Sequence, residues 1–158
     1  MEDNGFKIVR KTELEKWNLK VEDIIIPTRK TEHSAGYDIH LLRTPESIII
    51  PPHKAVLAPT GIKCRMSPMH FLQIVPRSSV GIKKGLMLQN TTGIIDSDYC
   101  DNRDNGGHIF LPLYNYTDQV VEIAGGTAVA QGILLMYFKL SPIEVVDGIR
   151  VGGIGSTD

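Results

Sequence analysis

Residues 48–61 read Ile48-Ile49-Ile50-Pro51-Pro52-His53-Lys54-Ala55-Val56-Leu57-Ala58-Pro59-Thr60-Gly61. A short β-branched run is stopped by a proline pair, and a Pro-Thr-Gly soon punctuates the chain again. A helix tolerates this badly, because proline lacks an amide donor and pushes the residue before it out of the helical region. Strands joined by tight corners need such residues. The pattern continues outward: strand-like runs rich in Ile, Val, Leu and aromatics lie at residues 24–26, 71–75 and 109–113. Turn signals follow at Gly106-Gly107, Gly125-Gly126 and Asp147-Gly148. With fifteen Gly and nine Pro, the reading is an all-β fold of the sandwich or jelly-roll kind. One helix signal stands apart: Thr12-Glu13-Leu14-Glu15 has the Thr-x-x-Glu form of a capping box and predicts a short helix over residues 12–17.

The chain has 158 residues, 42% of them hydrophobic, enough for one ordinary domain with a real core. A single domain over residues 1–158 is expected, with an N-terminal segment at 1–22. Residues 148–158 hold several glycines and little bulky apolar surface, so they are expected to form a flexible tail that orders on something else. Seventeen Lys and Arg against eighteen Asp and Glu leave a net charge of −1. That balance gives no long-range pull toward nucleic acid or an anionic membrane, so an anionic ligand must be held locally. The longest nearly apolar stretch, 132–138, is far too short to span a bilayer. A cytoplasmic protein is the expectation. Cys64 and Cys100 lack the spacing of a zinc site or a disulfide framework and read as two reduced thiols.

Three segments carry residue types suited to chemistry. Gly93-Ile94-Ile95-Asp96-Ser97-Asp98-Tyr99 puts two carboxylates and an aromatic after an apolar approach, across what reads as a hairpin. Such acids suit base and metal chemistry, although Asp and Ser at a turn also bond their own backbone. Pro76-Arg77-Ser78-Ser79-Val80-Gly81 sets a guanidinium and two hydroxyls beside a tight turn that can cradle phosphate; the alternative is a capped short helix and a structural ion pair. Gly152-Gly153-Ile154-Gly155-Ser156-Thr157 has amides able to wrap an anion, but no Gly-Lys-Ser or Gly-Lys-Thr follows as in a phosphate loop.

Taken in order, five segments from about residue 24 onward resemble the five motifs of the trimeric dUTP pyrophosphatase family. They are Ala35-Gly36-Tyr37-Asp38-Ile39 preceded by Pro27-Thr28-Arg29, the segment from Pro76 to Gly81 continuing to Gly85-Leu86, and the segment from Gly93 to Tyr99 with Asn90 upstream. Gly126 to Gln131 and Gly153 to Thr157 complete the set. The resemblance implies cleavage of dUTP to dUMP and pyrophosphate by a homotrimer with shared active sites and Mg2+ as cofactor. Asp96 would be the general base and Asp38 the support of the metal-water network. Arg77, Ser78, Ser79 and Gln131 would lie near the triphosphate. Tyr99 would pack on the deoxyribose where a 2′-hydroxyl collides, and Asn90 with the backbone at Gly93 and Ile95 would read uracil. Mg2+ would bind mainly phosphate oxygens and waters, with Asp38 and Gln131 in its outer shell and no direct protein ligand. Arg150, Ile154, Gly155, Ser156 and Thr157 would close over the nucleotide.

The chain departs from the family in three places. Ile154 stands where a Phe usually stacks on uracil. After Tyr99 a polar run from Cys100 to His108 replaces a shorter turn, which suggests His108 as a substitute planar group over the base. Gly126-Thr127-Ala128 lacks an acid and a cation common there. Competing readings are a dCTP deaminase-like enzyme, which needs a differently placed Glu, and a nucleotide-responsive module with a regulatory protein partner docking on the polar run.

Overall fold

The computed structural model describes residues 4–140. In chain order the elements are β1 (Gly5–Ile8), α1 (Lys11–Lys16), β2 (Gly36–His40), β3 (Ile48–Ile50), β4 (Ala55–Pro59), β5 (Ile62–Arg65), β6 (His70–Pro76), α2 (Ser78–Lys84), β7 (Leu86–Leu88), β8 (Gly93–Asp96), β9 (Phe110–Asn115), β10 (Val121–Ile123) and β11 (Ala128–Met136). The all-β expectation holds. Four small sheets, ordered β1-β5, β10-β3, β2-β11-β6-β8 and β4-β9-β7, share one apolar core. Every paired strand is antiparallel.

Alternation explains the layering. Along β9, Leu111, Leu113 and Asn115 point inward while Phe110, Pro112 and Tyr114 are half-exposed, the period-2 pattern of a strand with one buried face. Ile39, Leu72, Ile74, Leu86, Leu88 and Leu111 meet in the centre. Full burial of each contributes roughly 1.5–3 kcal/mol relative to exposure. Asn115, fully buried, donates to the carbonyls of Ile50 and Gln119 and so ties the β9 end to the neighbouring sheet.

Four local expectations are corrected. Residues 24–26 form no strand: a 3-10 turn at Val21–Asp23 precedes them, and Ile24 instead packs over Gly61, where a Cβ would collide with it. The predicted helix exists as α1, but its N-cap is Arg10 and no side chain caps it, so the Thr12 capping box is not made. A second helix, α2, was weighed only as an alternative. Its Ser-Ser-Val-Gly composition has little helix propensity, and neither serine caps it, because the N-cap is Arg77. It ends on Gly85 in the left-handed region, φ +66°. Finally, residues 90–99 are not a hairpin: β7 pairs with β9 whereas β8 pairs with β6, so the chain crosses between sheets there. No helix among the described residues is long and apolar enough to cross a membrane.

Candidate active site

The central sheet brings three of the sequence segments together. On β11, Gln131 lies opposite Asp38 of β2 on one side and Val75 of β6 on the other. β6 ends at Pro76, opposite Ala130, and Arg77 then donates its amide to the Val129 carbonyl before α2 begins. Asp38 is also bridged to Thr28, its amide donating to the Thr28 carbonyl at 2.9 Å. Pairing thus places Asp38, Arg77 and Gln131 at the mouth of one recess of about 220 Å³, lined in addition by Lys30, Ser34, Gly36 and Ser78.

Asp38 organises the recess. It is 5% exposed, with Arg77 Nε 3.3 Å from Oδ1 and Lys30 Nζ 4.0 Å from Oδ2. Arg77 also donates to the Ala128 carbonyl at 3.4 Å. Asp38 Oδ2 is buried without a hydrogen-bond partner among the described residues. Two cations around one carboxylate leave an excess of positive charge facing solvent, and the ion pair aims the guanidinium so that its remaining donors can meet an anion. Ser78 and Ser79 are exposed at the start of α2. Lys30 and Ser34 were not singled out from sequence, because nothing in their spacing distinguishes them from ordinary surface residues. The segment after Thr28 brings them in.

His40, at the end of β2, was also missed. It lies across from Ala128 in the register, at the place where the fourth segment lacks its cation. Burial lowers its pKa below the usual imidazole value, against the opposing pull of Asp38, and its Nδ1 is buried without a hydrogen-bond partner among the described residues.

Gly36 makes room for Gln131. A Cβ there would run into Gln131 Oε1 and come within 3.2 Å of its Cβ. Gly36→Ala is therefore expected to turn the Gln131 amide away from the recess and to raise the KM for a phosphate-bearing ligand about tenfold, the worth of one good hydrogen bond. The melting temperature should change little; an unchanged KM would remove Gln131 from the recess's function.

The remaining candidates sit elsewhere. Asp96 closes β8 opposite Phe71, whereas Arg77 leaves the other end of β6; five strand steps from Phe71 to Pro76 amount to about 17 Å. One chain therefore does not bring Asp96 to the Asp38–Arg77 recess. Gly93 lies opposite Ile74 and Ile95 packs partly buried on the core, so besides Asp96 and the exposed Ile94 the strand offers a ligand its backbone. Asn90 is exposed in the turn that the Thr91 amide closes on Leu88. Tyr99, in the 3-10 turn Ser97–Asp101, is only 6% exposed. Its hydroxyl donates to the His108 carbonyl at 3.0 Å and accepts from Asn105 Nδ2 at 2.8 Å.

His108 is a correction. It is fully buried and holds no position over a ligand. Its Nε2 accepts from the Gly61 amide at 2.9 Å, and its Nδ1 lies 3.0 Å from the buried Glu13 Oε1. An imidazole that accepts at Nε2 must carry its proton on Nδ1, so the ring is neutral and donates to Glu13. The polar run expected to form a lid or a docking surface is largely folded inward, with Asn102 accepting from the amides of Asp104 and Asn105. Gly107, at φ +79°, passes so close to the Cys100 backbone that no side chain fits. Arg150, Ile154, Gly155, Ser156 and Thr157, with the expected lid over 148–158, lie outside the described residues.

Burial holds the His108 pKa below its ordinary value, partly offset by Glu13 and reinforced by Lys16. The unfolded chain thus takes up a proton that the folded chain refuses. Stability from this group is complete above the ordinary imidazole pKa and is lost as pH falls below it, by up to about 1.4 kcal/mol per pH unit until the folded state also protonates. Melting curves from pH 7.5 to 5 should show this decline in the native protein and a shallower one in His108→Gln.

A family model described as dUTPase matches residues 22–157. The chain belongs to the dUTPase family. A deoxyuridine 5′-triphosphate nucleotidohydrolase of Lactococcus lactis is 41% identical over 164 residues, covering 99% of each chain, and one from Picosynechococcus is 34% identical over 84% of this chain and 90% of its own. The crystal structure of a dUTPase from Streptococcus mutans superposes with a TM-score of 0.72 at 37% identity, covering 86% of this chain and 98% of that one. A dUTPase from phage phi11 of Staphylococcus aureus shares the fold, with a TM-score of 0.68 at 16% identity, covering 93% and 97%. The dUTPase fold is thus shared across relatives with little sequence in common.

Proposed function

We propose that this chain hydrolyses dUTP to dUMP and pyrophosphate in the cytoplasm, as one domain of a homotrimer in which each active site is shared between subunits. The observation that carries this reading is the separation of the two halves of the site. The anion recess of Asp38, Arg77 and Gln131 lies at one end of β6 and Asp96 at the other; in this reading a neighbouring subunit's Asp96 completes the recess. A surface awaiting cover supports assembly: the end of β11 and the residues after it expose Leu134, Leu135, Met136 and Tyr137, with Phe138 83% and Leu140 92% exposed. Apolar strips of this kind mark interfaces.

In this reading Arg77, Ser78 and Gln131 hold the triphosphate, and Lys30 adds a second cation. Asp96 orients a water and takes its proton as the water attacks the α-phosphorus, a role for which carboxylates are suited at neutral pH. Backbone groups from Asn90 to Ile95 meet uracil, and Tyr99 walls off the 2′ position. A tail carrying Arg150 and Ile154 to Thr157 closes over the nucleotide.

The residues present fit Mg2+. Among the described residues no three His, Cys, Asp or Glu side chains form a cage, while Asp38 Oδ2, with Lys30 Nζ at 4.0 Å, is a buried acceptor without a hydrogen bond beside the recess. That donor set suits a cation arriving with phosphate oxygens and waters, for which Asp38 and Gln131 supply outer-shell acceptors. When bound, Mg2+ neutralises charge building on the phosphates. The test is pyrophosphate release from dUTP beside dCTP, dTTP and UTP, with and without Mg2+. Mg2+-dependent release specific to dUTP is the expected result; release from dCTP or UTP at equal rates would overturn the reading.

A further inference from the structure

We propose that Glu13 and His108 are positioning residues for Tyr99, so that the N-terminal helix takes part in selecting the sugar. The proposal rests on the reading of Tyr99 as the wall at the 2′ position and extends it to Glu13 of α1, which precedes the 22–157 family match.

A continuous line of buried bonds supports it. Glu13, 2% exposed on α1, accepts from His108 Nδ1; His108 Nε2 accepts from the Gly61 amide at the head of β5. The imidazole is thereby fixed at both nitrogens, and its ring lies against Phe110, centroids 4.0 Å apart. Fixing the ring fixes the peptide it hangs from, and the carbonyl of that same residue receives the Tyr99 hydroxyl. The second partner of the hydroxyl, Asn105, is held by the same loop: its side-chain oxygen accepts from the Gly107 amide, and its carbonyl accepts from the His108 amide. Arg10, the N-cap of α1, clamps the far side by donating to the Arg103 carbonyl at 2.8 Å.

A buried carboxylate facing a neutral imidazole is costly to keep, and an apolar pair of equal volume would pack as well. What the polar pair adds is direction: it admits one ring orientation and hence one place for the His108 carbonyl. A wall discriminating against one hydroxyl must be held to a fraction of an ångström, and the strut meets that need.

The experiment compares kcat/KM for dUTP and UTP, with melting temperature measured alongside, in native enzyme, Glu13→Leu, Glu13→Gln, Tyr99→Phe and the Glu13→Leu/Tyr99→Phe double variant. Glu13→Leu and Tyr99→Phe are each expected to lower discrimination about tenfold, the double variant no further than either, and Glu13→Gln, whose Oε1 still accepts from His108, to retain most of it. A Glu13→Leu enzyme that melts earlier yet discriminates within about twofold of native would overturn the proposal, as would effects that multiply in the double variant. Should Glu13→Leu fail to fold, His108→Gln removes the imidazole that Glu13 holds while keeping the residue's carbonyl, and native discrimination in that variant overturns the proposal equally. If the native enzyme itself does not prefer dUTP, the reading of Tyr99 falls first and the strut with it.

Discussion

Asp96→Asn is expected to lower kcat by roughly 10³-fold while leaving binding of a non-hydrolysable dUTP analogue within a few-fold of native. The substitution keeps the size and one acceptor oxygen of the side chain but removes its ability to take a proton. Asp96 ends β8, half-buried at the strand terminus and outside the apolar core. A general base acts only as the water is deprotonated; hence the loss belongs in kcat and not in affinity. Pyrophosphate release in single turnover, with analogue titration beside it, separates the two. A kcat within tenfold of native would require another base.

Arg77→Ala should weaken dUTP binding roughly 10²-fold, because it removes charge-assisted donors from the recess and leaves Lys30, at 4.0 Å, as the cation beside Asp38 among the described residues. The sharper result comes from mixing. If each site takes Arg77 from one subunit and Asp96 from another, subunit exchange between the two crippled variants makes some sites with both residues intact. Random exchange at equal amounts gives half times half, so about a quarter of native activity should return. A mixture no more active than its separate parts would place the whole site within one chain.

The strand pattern was legible because proline, glycine and β-branched residues report backbone constraints that act locally. Residues 48–50 became β3 as read. The failures are places where distant partners outweighed propensity. Residues 24–26 have strand composition, but among the described residues they pair with no strand, and Ile24 packs on the core from a coil. α2 forms from poor helix formers between β6 and β7 and stops at Gly85, whose left-handed backbone ends the helix. Of the candidate site, the segment order named Asp38, Arg77 and Gln131, which strand pairing then brought together. Lys30, Ser34 and His40 carried no signal of their own.

His108 marks the boundary most clearly. Its position after a Gly-Gly pair, in a polar run following Tyr99, read as a planar group over the base. Only the tertiary structure supplied Glu13, 95 positions away, and the Gly61 amide that make it a core histidine. The sequence by itself determined the all-β class and the family, because turn chemistry and ordered motifs are written in neighbouring residues. The tertiary structure alone decided which polar side chains are buried and in what company, and how far Asp96 lies from Arg77, because burial and distance depend on pairings between residues far apart in the chain.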